Sequence, residues 1–167
     1  MSSKRVLVPV DLMRGTAHAL MFVQQLASES PLSVTLLHVI DLNIVPQQGI
    51  YEQLRAESVA ALRKLANLFF GSDQVARISV RIGRPAEEII AEATGEASDL
   101  IVLCGPKSHR ARFFSRSTTE QVLESASCAT LVLPHPAKTN GRVSSSRELV
   151  PADICAFPAR RETVAAA

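Results

Sequence analysis

The chain has 167 residues, 47% of them apolar, and carries 18 Lys and Arg against 16 Asp and Glu for a net charge of +2, which suits one domain with a two-sided core and is short for two. No stretch approaches the roughly 20 uninterrupted apolar residues of a membrane span, and the opening Met1-Ser-Ser-Lys-Arg leads into a short apolar run ended by Asp11, so the sequence reads as soluble, unsecreted and cytoplasmic. Residues 1–137 balance 13 basic against 13 acidic side chains, which leaves the excess charge in the tail and offers no basic face to duplex nucleic acid.

In chain order, Arg5-Val-Leu-Val-Pro-Val-Asp11 is apolar and β-branched and predicts a strand. Thr16 to Ser28 has helical period, and Ser33 to Asp41 predicts a second, almost continuously apolar strand. A long helix follows, with Tyr51, Leu54, Leu62, Leu65 and Phe69 on one face and Arg55, Arg63 and Lys64 elsewhere. Ala76 to Gly83 alternates, setting Arg77, Ser79 and Arg81 between Ile78, Val80 and Ile82, as an edge or half-exposed strand does. A helix from Pro85 to Ala97 opens on its proline. Asp99 to Gly105 and Ala129 to Pro134 predict two more apolar strands, and the helix between them, Ser117 to Ala126, opens with Ser117-x-x-Glu120 as a capping box. Strand and helix alternate throughout, which specifies an α/β, doubly wound parallel sheet with right-handed crossovers and helices on both faces. The pattern stops after Pro134-His-Pro136, so the domain is placed at residues 1–136, and 137–167 are expected to form a disordered tail.

Ligands of such sheets bind at the carboxyl ends of the strands, where strand order reverses. Those ends carry Asp11, Val39 to Asp41, Gly83 and Gly105. A carboxylate at Asp11 suits a ribose hydroxyl or a base amino group, and equally suits capping the following turn or helix. The loop from Gly105 to Thr119 holds Lys107, His109, Arg110, Arg112 and Arg116 and no acidic residue. With the helix start at Ser117 it makes a plausible anion site. Ser117 beside His109 could suggest a nucleophile and base, but capping alone accounts for its type and place. No nucleophile elbow, Walker-A lysine or dinucleotide glycine fingerprint occurs. Cys104, Cys128 and Cys155 lack metal-site spacing and the four histidines lack pairing, so neither a metal nor a disulfide framework is expected.

The runs Val8-Pro-Val-Asp11, Leu37-His-Val39, Gly83-Arg-Pro85 followed by Ile89-Ile90, Asp99-Leu-Ile-Val-Leu-Cys-Gly105, and Phe113-Phe114 leading to Ser117-x-x-Glu120-Gln-Val-Leu123 and Cys128-Ala-Thr-Leu-Val-Leu-Pro134 resemble universal stress proteins in order and spacing. The resemblance covers about residues 4–135 and implies a five-stranded sheet of order 3-2-1-4-5. It also implies homodimers along the last strand, here residues 129–134, and in many members ATP or AMP in the strand-end crevice. Asp11 and the backbone at Val39 would hold the adenine end, and a G-x-x-G-x9-G-[ST] loop the phosphates.

Gly105 matches the first glycine of that loop and Ser117 its hydroxyl, but Ser108 stands at the second glycine and Arg116 at the third, with the loop about two residues short. Glycines serve where backbone must approach phosphate closely. Side chains there either block the pocket or, through Arg116, replace lost amides with charge. The expected function is therefore a non-enzymatic, stress-linked regulatory homodimer with an altered nucleotide site. The alternatives are a nucleotide-independent interaction module with an unknown protein partner and, more distantly, an adenylate-chemistry enzyme.

Overall fold

The computed structural model describes residues 3–12, 16–43, 48–71, 76–105 and 117–134. Strand and helix alternate through β1 (Lys4–Pro9), α1 (Ala17–Glu29), β2 (Leu32–Asp41), α2 (Tyr51–Phe70), β3 (Arg77–Gly83), α3 (Pro85–Gly95), β4 (Leu100–Cys104), α4 (Thr118–Ser125) and β5 (Ala129–Leu133). A single 3-10 turn, Gln48–Ile50, leads into α2. All strand pairs are parallel and the sheet order is β3-β2-β1-β4-β5. The order that the resemblance implies is the order observed.

Side chains of successive strand residues point to opposite faces of the sheet, and both faces are covered. On one, Val6, Val8, Val34, Leu36 and Val102 meet Leu20 and Val23 of α1 and Leu62, Leu65 and Phe69 of α2. On the other, Leu7, Leu37, Ile101 and Leu103 meet Ala86, Ile89 and Ala93 of α3 and Val122 of α4. Two cores explain why β1, β2 and β4 are apolar at almost every position. The expected apolar face of α2 is buried at Leu54, Leu62, Leu65 and Phe69, and the same stripe holds a fully buried Ser58. Its Oγ donates to the Leu54 carbonyl at 2.6 Å, so the hydroxyl is satisfied within its own helix.

β3 lies at an edge, as its alternation predicts, but its polar residues are not simply solvated. Arg77 pairs with Glu96 just past α3, and Arg81 pairs with Glu88 and Glu92 on α3. Glu92 is only 3% exposed. The strand and the helix after it run in opposite directions, so arginines spaced four apart on one meet glutamates on the other. Partial burial opposes the charge on Arg81, but the hydrogen bonds and charges of Glu92 and Glu88 outweigh it and hold its proton more firmly than usual. Glu88 also lies over Gly83, where a Cβ would come within 2.5 Å of its carboxylate oxygen; only glycine leaves that side chain its place.

The helix expected to reach Ala97 ends at Gly95. There Ser98 N–H donates to Ala93 O at 2.8 Å and Ala97 N–H to Thr94 O at 3.1 Å, a paired closure that places its central residue in the left-handed region. That residue is Ala97, with φ 46°.

Candidate functional site

Sheet order places the reversal point between β1 and β4, because the chain leaves β1 toward β2 and β3 and later returns on the other side to β4 and β5. β1 pairs with β2 along all six residues from Lys4↔Leu32 to Pro9↔Leu37. Toward β4 the register holds only Val6↔Leu100 and Leu7↔Ile101. Alternation accounts for the difference. Arg5 gives its carbonyl to Asp99 N–H and Val10 gives its N–H to Leu37 O, so odd residues of β1 face β4 and even ones face β2. Pro9 is odd, and it has no N–H to offer β4. The ladder therefore lapses on the β4 side while β2 stays paired, so β1 and β4 part before their carboxyl ends.

The described candidate residues lie at or near the carboxyl ends of these strands. Asp11 lies two residues beyond β1 rather than closing it, and is exposed. Thr16 is the N-cap of α1 and makes no side-chain cap bond; its Oγ1 donates instead to the Asp11 carbonyl at 2.8 Å. Val39 lies on β2 two residues past the last one paired with β1. Leu37 presents its carbonyl toward β1, so Val39 presents its N–H and C=O to the same side, where β1 has already ended. Gly105 follows β4 and donates its N–H to Leu133 O at 2.7 Å. A Cβ there would lie 3.3 Å from that same oxygen, so a side chain at Gly105 would crowd β5.

Ser117 caps α4 as the sequence predicts. Its Oγ accepts from Glu120 N–H at 3.2 Å, and Ser117 N–H donates to Glu120 Oε2 at 2.8 Å. This accounts for the serine without catalysis. Ser108 and Arg116, with the rest of 106–116, lie outside the described residues, as does the tail from 135 onward.

The sequence reading passes over His38. Its side chain falls on the same face of β2 as the buried Val34 and Leu36, where a hydrophobic residue would be expected, and its Nδ1 lies 2.8 Å from the Val10 carbonyl. A carbonyl only accepts, so Nδ1 carries a proton. Burial moves the His38 pKa below its usual value, against the opposing effects of the Val10 hydrogen bond and the Asp11 charge. The signal in the sequence is a lone histidine at a core position of an apolar strand. Nearby, Cys104 at the end of β4 is held above the usual thiol range by burial, with the Ala19 amide acting the other way. Its reactivity at neutral pH is accordingly low.

Among the described residues, no group of three His, Cys, Asp or Glu side chains is placed to hold a metal ion, and no helix is long and apolar enough to cross a membrane.

Comparison with known proteins agrees with this geometry. A universal stress protein of Methanocaldococcus jannaschii is 27% identical over 143 residues, covering 81% of this chain and 84% of its own. The structure of a universal stress protein from Lactobacillus plantarum is similar at a TM-score of 0.63 and 22% identity, over 80% of this chain and 99% of that one. One from Archaeoglobus fulgidus, solved in complex with dAMP, is similar at 0.52 and 17%, over 79% and 98%. Residues 2–134 match the universal stress protein family, and the chain belongs to that family.

Proposed function

We propose that this protein is a regulatory module that acts by binding rather than catalysis, as a homodimer that takes an adenine nucleotide, AMP or ATP, at the carboxyl ends of β1 and β4. The observation that carries the reading is that an exposed carboxylate, Asp11, the outward-turned backbone of Val39 and Gly105 all lie at the strand ends beside the lapse of the β1–β4 ladder. A carboxylate accepts from an amino group or a ribose hydroxyl, and a backbone N–H with its neighbouring C=O reads the edge of a base. That a related fold has been solved with dAMP supports the same choice.

The phosphate end differs. Ser108 and Arg116 replace two glycines of the family's loop, so the adenine end supplies the larger share of recognition and the phosphates the smaller. Those replacements also favour a second reading, in which the domain works through protein contacts without nucleotide. Small molecules released from the purified protein and identified by mass separate the two readings. AMP or ATP at near one per chain supports the first. A protein that elutes empty, and that still ignores nucleotide once Ser108 and Arg116 are both changed to glycine, supports the second.

A further inference from the structure

From the bond between His38 Nδ1 and the Val10 carbonyl we infer that His38 is a positioning residue, which sets the direction of Asp11 and ties it to Val39. The inference rests on the nucleotide reading only for its consequence; the positioning itself is a property of the free protein.

Among the described residues, hydrogen bonds to three partners hold the chain on either side of Asp11. Val10 N–H donates to Leu37 O at 2.7 Å, His38 Nδ1–H donates to Val10 O at 2.8 Å, and Thr16 Oγ1 donates to Asp11 O at 2.8 Å. The Val10 carbonyl belongs to the same rigid peptide plane as the Asp11 N–H and is bonded through it to the Asp11 Cα. Orienting that carbonyl therefore orients the root of the Asp11 side chain. Two of the three partners, Leu37 and His38, are consecutive residues of β2, and the next residue is Val39.

The two halves of the proposed adenine end thus come from the peptide just past β1 and one residue of β2, and His38 joins them side chain to backbone. An apolar residue in its place would fill the core equally well but would leave the Val10 carbonyl without this donor. A hydrogen bond of this kind is also directional, which packing is not.

The test uses the full chain and substitutions chosen for where they place a donor. Asparagine carries its amide nitrogen at the same bond separation from Cα as His Nδ1, glutamine carries it one bond further, and leucine has none. In nitrogen-detected NMR at neutral pH, His38 should show the tautomer protonated at Nδ1. The backbone amide resonances of Asp11 and Leu12 should be nearly unchanged in His38→Asn and displaced or broadened in His38→Gln and His38→Leu. Titrated with AMP, His38→Gln and His38→Leu should bind about two- to tenfold more weakly than wild type, the range for one lost hydrogen bond, with His38→Asn close to wild type.

A His38 protonated only at Nε2, or an Asp11 amide that His38→Leu leaves in place, overturns the positioning role even if AMP binds. Asp11 resonances displaced by His38→Gln and His38→Leu, together with a wild-type protein that ignores AMP, would uphold positioning and reject the nucleotide reading. Should His38→Leu fail to fold, the tautomer and the Asn and Gln pair still decide.

Discussion

At the scale of single residues, the structure contains one local cost and one titrating group that make direct predictions. Ala97 sits at φ 46°, a conformation costing a residue with a Cβ about 1–2 kcal/mol that glycine avoids. Ala97→Gly should therefore stabilise the domain by about 0.5–1 kcal/mol, net of glycine's greater freedom when unfolded. A thermal melt should move upward by a few degrees, and a lower midpoint would show that the turn does not hold in solution. His38 gives a pH dependence. Its folded pKa lies below its ordinary 6.5 because burial disfavours the charged ring. The stability associated with its neutral form is thus complete above pH 6.5 and is lost as the pH falls from there through the folded pKa. His38→Asn removes that titration, so its midpoint should fall less between pH 7 and pH 5 than that of wild type. Equal losses would place His38 in water.

At the scale of elements, the ion pairs between β3 and α3 are unequal in burial, and the inequality decides which loss hurts. Arg81 has a side chain 36% exposed and Glu92 one of 4%. Removing Glu92 lets the arginine turn to water, whereas removing Arg81 strands a buried carboxylate. We expect Arg81→Met to cost about 2–4 kcal/mol and Glu92→Leu less than about 1 kcal/mol, since an unpaired buried charge is the expensive case. Chemical denaturation gives both values, and the reverse order would contradict the burial of Glu92. The fold was legible in the sequence at this level because each β-α unit declares itself. Four strands are continuous apolar runs, β3 alternates, Pro85 opens α3, and the capping box opens α4 at Ser117. The glutamate row of α3 was not legible as a partner of Arg77 and Arg81, since strand and helix periods differ and only the antiparallel packing brings the two rows together. The end of α3 was misjudged for a related reason: its stop is a backbone closure with alanine, not glycine, in the left-handed position. Register also separates Cys104 from Cys128. Cys104 pairs with Leu133 at one end of β5, and Cys128 precedes Ala129 at the other.

At the scale of the whole molecule, β5 is an edge strand whose Leu131, Val132 and Leu133 are only half-buried, and edges of this kind are usually covered or paired. Pairing with a second copy through residues 129–134 would bury them, and light scattering at micromolar concentration should then report twice the chain mass of 18.0 kDa. A monomer would argue against that interface. The strand-end placement of Asp11, Val39 and Gly105 was legible from sequence, because strand ends in such sheets are where ligands bind. The lapse of the β1–β4 ladder was not, because it depends on Pro9 facing β4 rather than β2, which only the register reveals. His38 was hidden for the same reason, its partner being a backbone atom just past another strand. Whether adenine is read by Asp11 is tested most directly by calorimetric titration of wild type and Asp11→Ala with AMP. We predict saturable binding to wild type, weakened about ten- to a hundredfold by the substitution, as expected for a hydrogen bond to a charged group. No binding by wild type, or equal binding by both proteins, would contradict it.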